Sequence, residues 1–265
     1  MTDDTPPAGL SRIEVGVDGD SRSIAMLIRP AADGVDGPVL VWLGGYRSDM
    51  TGTKAVEMDA LAGELGLAAL RLDYSGHGQS GGEFRKGTIS RWLEESLAAI
   101  ATLAAREIIL VGSSMGGWIA LRAVAELKRS PAAPKVRGMV LIAPAPDFTS
   151  ALIEPALGEA ERRSLEERGY FEEHSEYSPE PNIFTRDLIE DGRQNRVLTG
   201  IIETGCPVHI LQGMQDADVP YRHALMLVEH LPADDVVLTL VRDGDHRLSR
   251  PQDIERMRAA IKALV

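Results

Sequence analysis

Residues 107–127 read "EIILVGSSMGGWIALRAVAEL": an apolar run, a glycine- and serine-rich turn, then a segment apolar at helical spacing. The centre of the turn, Gly112-Ser113-Ser114-Met115-Gly116, fits the pattern G-x-S-x-G. A sharp passage from strand to helix forces its middle residue into a strained backbone conformation and lifts that side chain above a sheet. Glycine two residues before and two after removes the Cβ atoms that would strike neighbouring backbone. This register makes Ser114 the candidate nucleophile and Ser113 a filler position. The helix start also aims backbone N–H groups at the hydroxyl, which suits developing negative charge.

Outward from that turn, strands and helices alternate. "RIEVGV" (12–17) and "SIAMLIR" (23–29) alternate apolar and polar residues, as a half-exposed antiparallel hairpin does. "PVLVWL" (38–43), "LAALRL" (67–72), "EIILVG" (107–112), "VRGMVLIA" (136–143), "PVHILQG" (207–213) and "DVVLTLV" (235–241) are almost wholly apolar. Such runs are strands of a parallel sheet covered on both faces. In "TISRWLEESLAAIATLA" (88–104), Ile89, Trp92, Leu93, Leu97, Ile100 and Leu103 form one helical stripe. Further helices are expected near 53–65, 116–128, 220–231 and 251–264. The fold class is therefore α/β, a mostly parallel central sheet flanked by helices. Residues 146–204, after the sixth strand, break the rhythm. They hold no convincing strand and several short helical patterns, and read as a helical lid inserted in one domain spanning 1–265.

A serine hydroxyl needs a general base. On this type of sheet the partners follow in the chain order serine, acid, histidine. His77 precedes the serine, in the glycine-rich turn "DYSGHGQSGG" (73–82), and reads as solvated or turn-stabilising. His174 falls in the lid, His209 within a strand, and His223 and His230 on a helix. His246 follows the last strand in a polar loop at its carboxyl end, where such sheets keep ligands, and is the candidate base. Asp216 and Asp218 compete as the acid. Asp218 stands where a helix N-cap belongs, which favours Asp216. Two backbone donors should face the oxyanion: the N–H of Met115, and that of Tyr46 after Gly44-Gly45. This chemistry calls for no metal and no cofactor.

Composition sets the partners. The 265 residues carry 28 basic and 40 acidic side chains, a net charge of −12, which disfavours nucleic acid and anionic membrane surfaces. Apolar runs are too short to span a bilayer. The single cysteine, Cys206, allows no internal disulfide and precedes a buried strand, so it reads as a structural thiol. The N-terminal "MTDDTPPAGLS" lacks both a secretory pattern and the arginines of a presequence, and a cytoplasmic location is expected.

The stretches "GGYRSDMTGTKA", "LRLDYSGHGQSGG", "LVGSSMGGW", "LQGMQDADVP" and "DGDHRLS" together resemble the α/β-hydrolase superfamily. The likeness is nearest to its mitochondrial palmitoyl-protein thioesterase branch, also described as acyl-glucuronide esterases. It covers most of residues 38–250 and is weakest in the lid. It implies hydrolysis of acyl thioesters or esters through Ser114, Asp216 and His246, with Tyr46 and Met115 as oxyanion donors. The expected partner is a small acyl ester or thioester, or an acylated protein. Phe148, Leu152, Ile153, Tyr170, Phe171, Tyr177 and Phe184 give the lid an apolar content. It suits either an acyl-binding underside, with Phe148, Leu152, Tyr170 and Phe171 as candidate contacts, or the lid's own small core. A receptor that kept the scaffold is the alternative class. Dehalogenases and epoxide hydrolases of this superfamily need aspartate where Ser114 stands.

Overall fold

All eight apolar or alternating runs enter one sheet. The computed structural model describes residues 9–17, 19–174, 180–231 and 235–265. The chain opens with an antiparallel hairpin, β1 (Leu10–Val15) and β2 (Arg22–Arg29), and continues through β3 (Val39–Leu43), α1 (Thr53–Glu64) and β4 (Ala69–Leu72). Then come α2 (Ile89–Ala101), β5 (Glu107–Ser113), α3 (Met115–Leu127) and β6 (Lys135–Ile142). The insertion follows. Past it lie β9 (Val208–Gly213), α7 (Tyr221–Glu229), β10 (Val236–Val241) and α8 (Pro251–Lys262). Strand order is β1-β2-β4-β3-β5-β6-β9-β10, parallel from β4 to β10.

The central strands are buried because both faces are covered, which is why they read as unbroken apolar runs. Every residue of β3 is buried, and so are Ile108 to Ser113 of β5. Helix α2 begins where Thr88 caps it, its hydroxyl accepting the N–H of Arg91 at 3.2 Å. Four of its six predicted stripe residues are buried, and Leu97 and Leu103 are half-buried. Cys206 is buried, as expected.

The elbow needs its glycines for the reason the sequence suggests. A methyl on Gly116 would collide with the carbonyl oxygens of Leu43 and Gly44, and one on Gly112 with the backbone of Gly116 and Gly117. Helix α3 thus starts in contact with the end of β3. Gly116→Ala has backbone atoms, not flexible side chains, to displace, and is expected to cost about 3 kcal/mol. Chemical denaturation of the variant beside the parent measures it.

The insertion corrects one expectation. Between β6 and β9 lie a π-helical turn (Thr149–Ile153), the single turn α4 (Glu154–Ala156), α5 (Glu159–Arg168), β7 (Tyr170–Glu173), β8 (Asn182–Thr185) and α6 (Arg186–Gln194). It is therefore not all-helical: β7 and β8 pair antiparallel, with Phe171 opposite Phe184. The acidic run "EAERRSLEERGYFEEHSE" hides the break. Helix α5 stops at Gly169, whose φ of +78° turns the chain, and the aromatic pair after it goes extended. Asp147 closes the base of the insertion, its two carboxylate oxygens accepting the N–H groups of Val197 at 2.8 Å and Leu198 at 2.9 Å.

Candidate active site

Four loops at the carboxyl ends of β3, β5, β9 and β10 meet around Ser114. The serine has φ +53° and ψ −118°, a conformation an L-residue holds only when its surroundings enforce it. Its N–H donates to Ile142 at 2.9 Å, and its carbonyl accepts from Gly117 at 2.9 Å and Ala145 at 3.1 Å. The backbone of the turn is thus fixed on both sides, while the hydroxyl is left to the loop carrying His246.

His246 Nε2 stands 3.1 Å from Ser114 Oγ, and its Nδ1 stands 2.8 Å from Asp216 Oδ2. A carboxylate only accepts, so Nδ1 carries the proton and Nε2 is open to the serine O–H. The Asp216 side chain is fully buried. Its Oδ1 accepts the N–H of Asp218 at 3.0 Å and of Val219 at 2.7 Å. Its Oδ2 also takes Gln212 Nε2 at 3.0 Å. Four donors therefore converge on one carboxylate.

Asp218 does not cap α7. The N-cap position is Pro220, with no side-chain cap, and the helix begins at Tyr221. Val219 and Pro220 intervene, and the loop folds around Asp216, which takes the amides of Asp218 and Val219. Of the other histidines, His174 is exposed and His209 is half-buried in β9. His223 is buried, with Nε2 on the carbonyl of Pro146 at 2.7 Å, and His230 reaches the carbonyl of Gly200 at 2.7 Å. His77 is buried rather than solvated.

The loop after β3 lies directly against the elbow. A methyl on Gly45 would come within 3.3 Å of both Ser114 Cβ and the Ser113 carbonyl oxygen. Tyr46 follows it, and Met115, fully buried, opens α3 on the other side of Ser114. The first N–H groups of a helix have no intrahelical acceptor, so the amide of Met115 is a donor the helix itself does not use. The Tyr46 ring stacks on Phe184 at 5.3 Å between centroids, and its hydroxyl donates to the carbonyl of Ile183. Burial pushes that phenol far above its usual range. The side chain is thus a fixed neutral strut.

A cleft of about 790 Å³ opens over Ser114, Met115 and His246. One wall is apolar and comes from the insertion: Phe148, Leu152, Ile153, Leu157, Phe171 and Phe184. Of the four residues named as substrate contacts, Phe148, Leu152 and Phe171 line it. Tyr170 does not. Alternation along β7 turns Phe171 inward and Tyr170 outward, where Arg85 and Arg168 sit over its ring at 4.0 and 4.3 Å. Tyr177 lies outside the described residues. Phe184 also packs against both Phe148 and Phe171. The apolar residues therefore serve as a small core and a cleft wall at once.

Two residues beside the site escape sequence reading. Gln212, next to last in β9, is fully buried and spreads Nε2 over Asp216 Oδ2, Gly213 O and Val219 O at 3.0, 3.1 and 3.0 Å. An amide inside an apolar strand is the one signal that could have found it. Lys54, on α1, lines the cleft and donates Nζ to the carbonyl of Arg247, the residue after His246. Burial lowers its pKa to about 8. Among the described residues, no three His, Cys, Asp or Glu side chains gather as a metal site requires. No helix among them is long and apolar enough to cross a membrane.

Comparison with known proteins agrees with this architecture. Residues 40–260 match the family described as "Alpha/beta hydrolase family". The mouse protein "Palmitoyl-protein thioesterase ABHD10, mitochondrial" is 32% identical over 229 residues, which cover 86% of this chain and 75% of the relative. The crystal structure of a putative hydrolase from Agrobacterium vitis S4 superposes with a TM-score of 0.95 at 68% identity, covering 98% of this chain and 100% of that one. The structure of alpha/beta hydrolase domain-containing protein 10 from mouse gives 0.82 at 29% identity, covering 97% and 98%. The match takes in the strands from β3 onward, the elbow, the insertion and the loops carrying Asp216 and His246, and on that ground the chain belongs to the alpha/beta hydrolase family.

Proposed function

We propose that the protein is a serine hydrolase of acyl thioesters or carboxylic esters, working through an acyl-enzyme on Ser114. The observation that carries this reading is the series Ser114–His246–Asp216, with contacts of 3.1 and 2.8 Å and a fully buried acid. His246 Nε2 takes the hydroxyl proton as Ser114 Oγ attacks the acyl carbon. Asp216 holds the imidazole tautomer and stabilises the imidazolium that forms. The carbonyl electron pair moves onto oxygen, where the N–H groups of Tyr46 and Met115 receive it. The intermediate collapses, the C–S or C–O bond breaks, and His246 returns its proton to the leaving group. Water then repeats the sequence on the acyl-enzyme, releasing the carboxylic acid and free Ser114.

The substrate class rests on the insertion's apolar wall and on the relative named as a palmitoyl-protein thioesterase. An acyl chain lying along Phe148, Leu152, Ile153 and Phe171 leaves water as it binds, at about 0.8 kcal/mol for each methylene. The chain's net charge of −12 supports small acyl compounds or acylated protein over nucleic acid as the partner.

The test pairs a fluorophosphonate probe with a graded panel of acyl thioesters and p-nitrophenyl esters. The probe is expected to add to Ser114 and nowhere else. Across the panel kcat/KM is expected to rise by up to about fourfold per added methylene until the apolar wall is filled. An unlabelled serine would replace the enzyme by a receptor. A flat response to chain length would remove the acyl-chain substrate and leave small esters.

A further inference from the structure

The turn "DYSGHGQSGG" contributes nothing to the reaction above, yet its imidazole is buried. His77 is 4% exposed. It packs against the rings of Tyr74, Phe84 and Trp92, with centroids 5.7, 5.1 and 5.4 Å away. Its Nε2 receives the backbone N–H of Arg47 at 3.1 Å. A ring nitrogen that accepts an N–H carries no proton, so the proton is on Nδ1, which donates to the carbonyl of Ser75 at 3.2 Å. Burial pulls the imidazole down to about 4, which keeps that acceptor available through neutral pH.

What His77 holds is the peptide next to Tyr46. Arg47 has φ +58°, a left-handed conformation that a residue with a Cβ keeps only under restraint. The loop's side chains are tied to the insertion: the Tyr46 hydroxyl to the Ile183 carbonyl, and the Arg47 guanidinium to the Pro181 carbonyl and the Glu180 carboxylate. Those polar bonds end on the insertion, while the Tyr46 ring also packs on Phe84 and Trp92, with centroids 5.0 and 5.9 Å away. The bond from His77 grips the backbone itself, and its far side is anchored in the main body. Ser75 N–H donates to Glu95 Oε2 at 2.8 Å, and Glu95 Oε1, fully buried on α2, takes Arg22 Nε from β2 at 2.9 Å.

We propose that His77 is a positioning residue for the oxyanion loop: by accepting the Arg47 N–H it keeps the neighbouring Tyr46 N–H aimed at the carbonyl oxygen of the substrate. This rests on the reading of Ser114 as nucleophile. Packing within the aromatic cluster is the competing role, and it makes a different demand. Packing asks only for a flat apolar ring, whereas positioning asks for an acceptor where Nε2 stands. Phenylalanine meets the first demand. Glutamine, whose side-chain carbonyl reaches about as far from Cα, meets the second.

The experiment compares the parent, His77→Phe and His77→Gln on one p-nitrophenyl ester. It reads kcat, KM, thermal stability, and inhibition by a trifluoromethyl ketone, which forms a tetrahedral oxyanion on Ser114. His77→Phe is expected to lose about 10- to 100-fold in kcat with KM changed by less than about threefold. Its inhibition constant should rise by the same factor as kcat falls. His77→Gln should recover both to within about fivefold of the parent. Phenylalanine at parental kcat and inhibition overturns the proposal, as does an equal loss in both variants. His77→Leu replaces His77→Phe in the comparison should the latter not fold. A parent protein that is neither inhibited nor labelled at Ser114 instead defeats the reading on which the proposal rests, so the two failures are distinct.

Discussion

Ser114→Ala is expected to lower ester turnover by about 10⁴- to 10⁶-fold while leaving stability close to that of the parent. The two halves of that expectation have separate causes. The hydroxyl bonds to His246, at 3.1 Å, and the turn is held by backbone bonds from Ser114 N–H and carbonyl that alanine keeps. The left-handed backbone is no obstacle either, because serine and alanine have the same Cβ and bear the same strain at φ +53°. Ser114→Gly is the informative contrast. It is equally inactive, but relief of that strain should make it more stable than Ser114→Ala by about 1 kcal/mol. Adding His246→Ala to Ser114→Ala should cost little more, since groups that act as a unit are lost as a unit. Kinetics on the three variants, with thermal melts beside them, provide the check. Activity that survives in Ser114→Ala but disappears in Ser113→Ala would move the nucleophile by one residue.

What the sequence makes legible is what local chemistry determines. The elbow is a strand, a turn and a helix within twenty-one residues, and its glycines are required by contacts with its own neighbours and the end of β3. The covered strands announce themselves because burial on both faces leaves few polar positions. Chain order then places the acid and the histidine without any long-range information. The rest depends on contacts that sequence spacing does not encode. Glu95 is a charge on the buried face of α2, and its full burial is explained only by Arg22 arriving from β2 and the Ser75 N–H from the turn after β4. His77 looked like a loop residue because glycines surround it, and its environment is supplied by Phe84 and Trp92 from elsewhere. The hairpin in the insertion was hidden by four-residue strands, one half charged, too short for alternation to show. Asp218 failed as a cap for a related reason: the loop is folded by the burial of Asp216, a tertiary event, rather than by the helix that follows.

That burial makes Asp216→Asn the sharpest test of the acid. The carboxylate receives four donors, two on each oxygen: Asp218 N–H and Val219 N–H on Oδ1, His246 Nδ1–H and Gln212 Nε2–H on Oδ2. Asparagine has one oxygen and one NH₂, so either orientation sets donors against donors. If its oxygen keeps the two backbone amides, its NH₂ faces the imidazole. His246 must then release Nδ1 as an acceptor and carry its proton on Nε2, directed at Ser114. An imidazole in that tautomer has no lone pair for the serine proton, and turnover at neutral pH is expected to fall about 10⁴-fold, as in other enzymes of this chemistry. Gln212 could turn its amide to meet the new NH₂ through Oε1, which has no hydrogen-bond partner among the described residues of the parent. That rotation would strip the donor from the carbonyls of Gly213 and Val219, so the conflict moves rather than ends. The substitution should therefore also cost stability, by about 1–3 kcal/mol. The other orientation, with oxygen toward His246, preserves the tautomer but turns the NH₂ on the amides of Asp218 and Val219 and unsettles the loop that aims the acid. Asp218→Asn, which removes no bond to His246, should stay within about tenfold of the parent, well below the loss expected of the acid. Steady-state kinetics and denaturation of the two asparagine variants decide between the carboxylates, and a larger loss in Asp218→Asn than in Asp216→Asn would reverse the assignment.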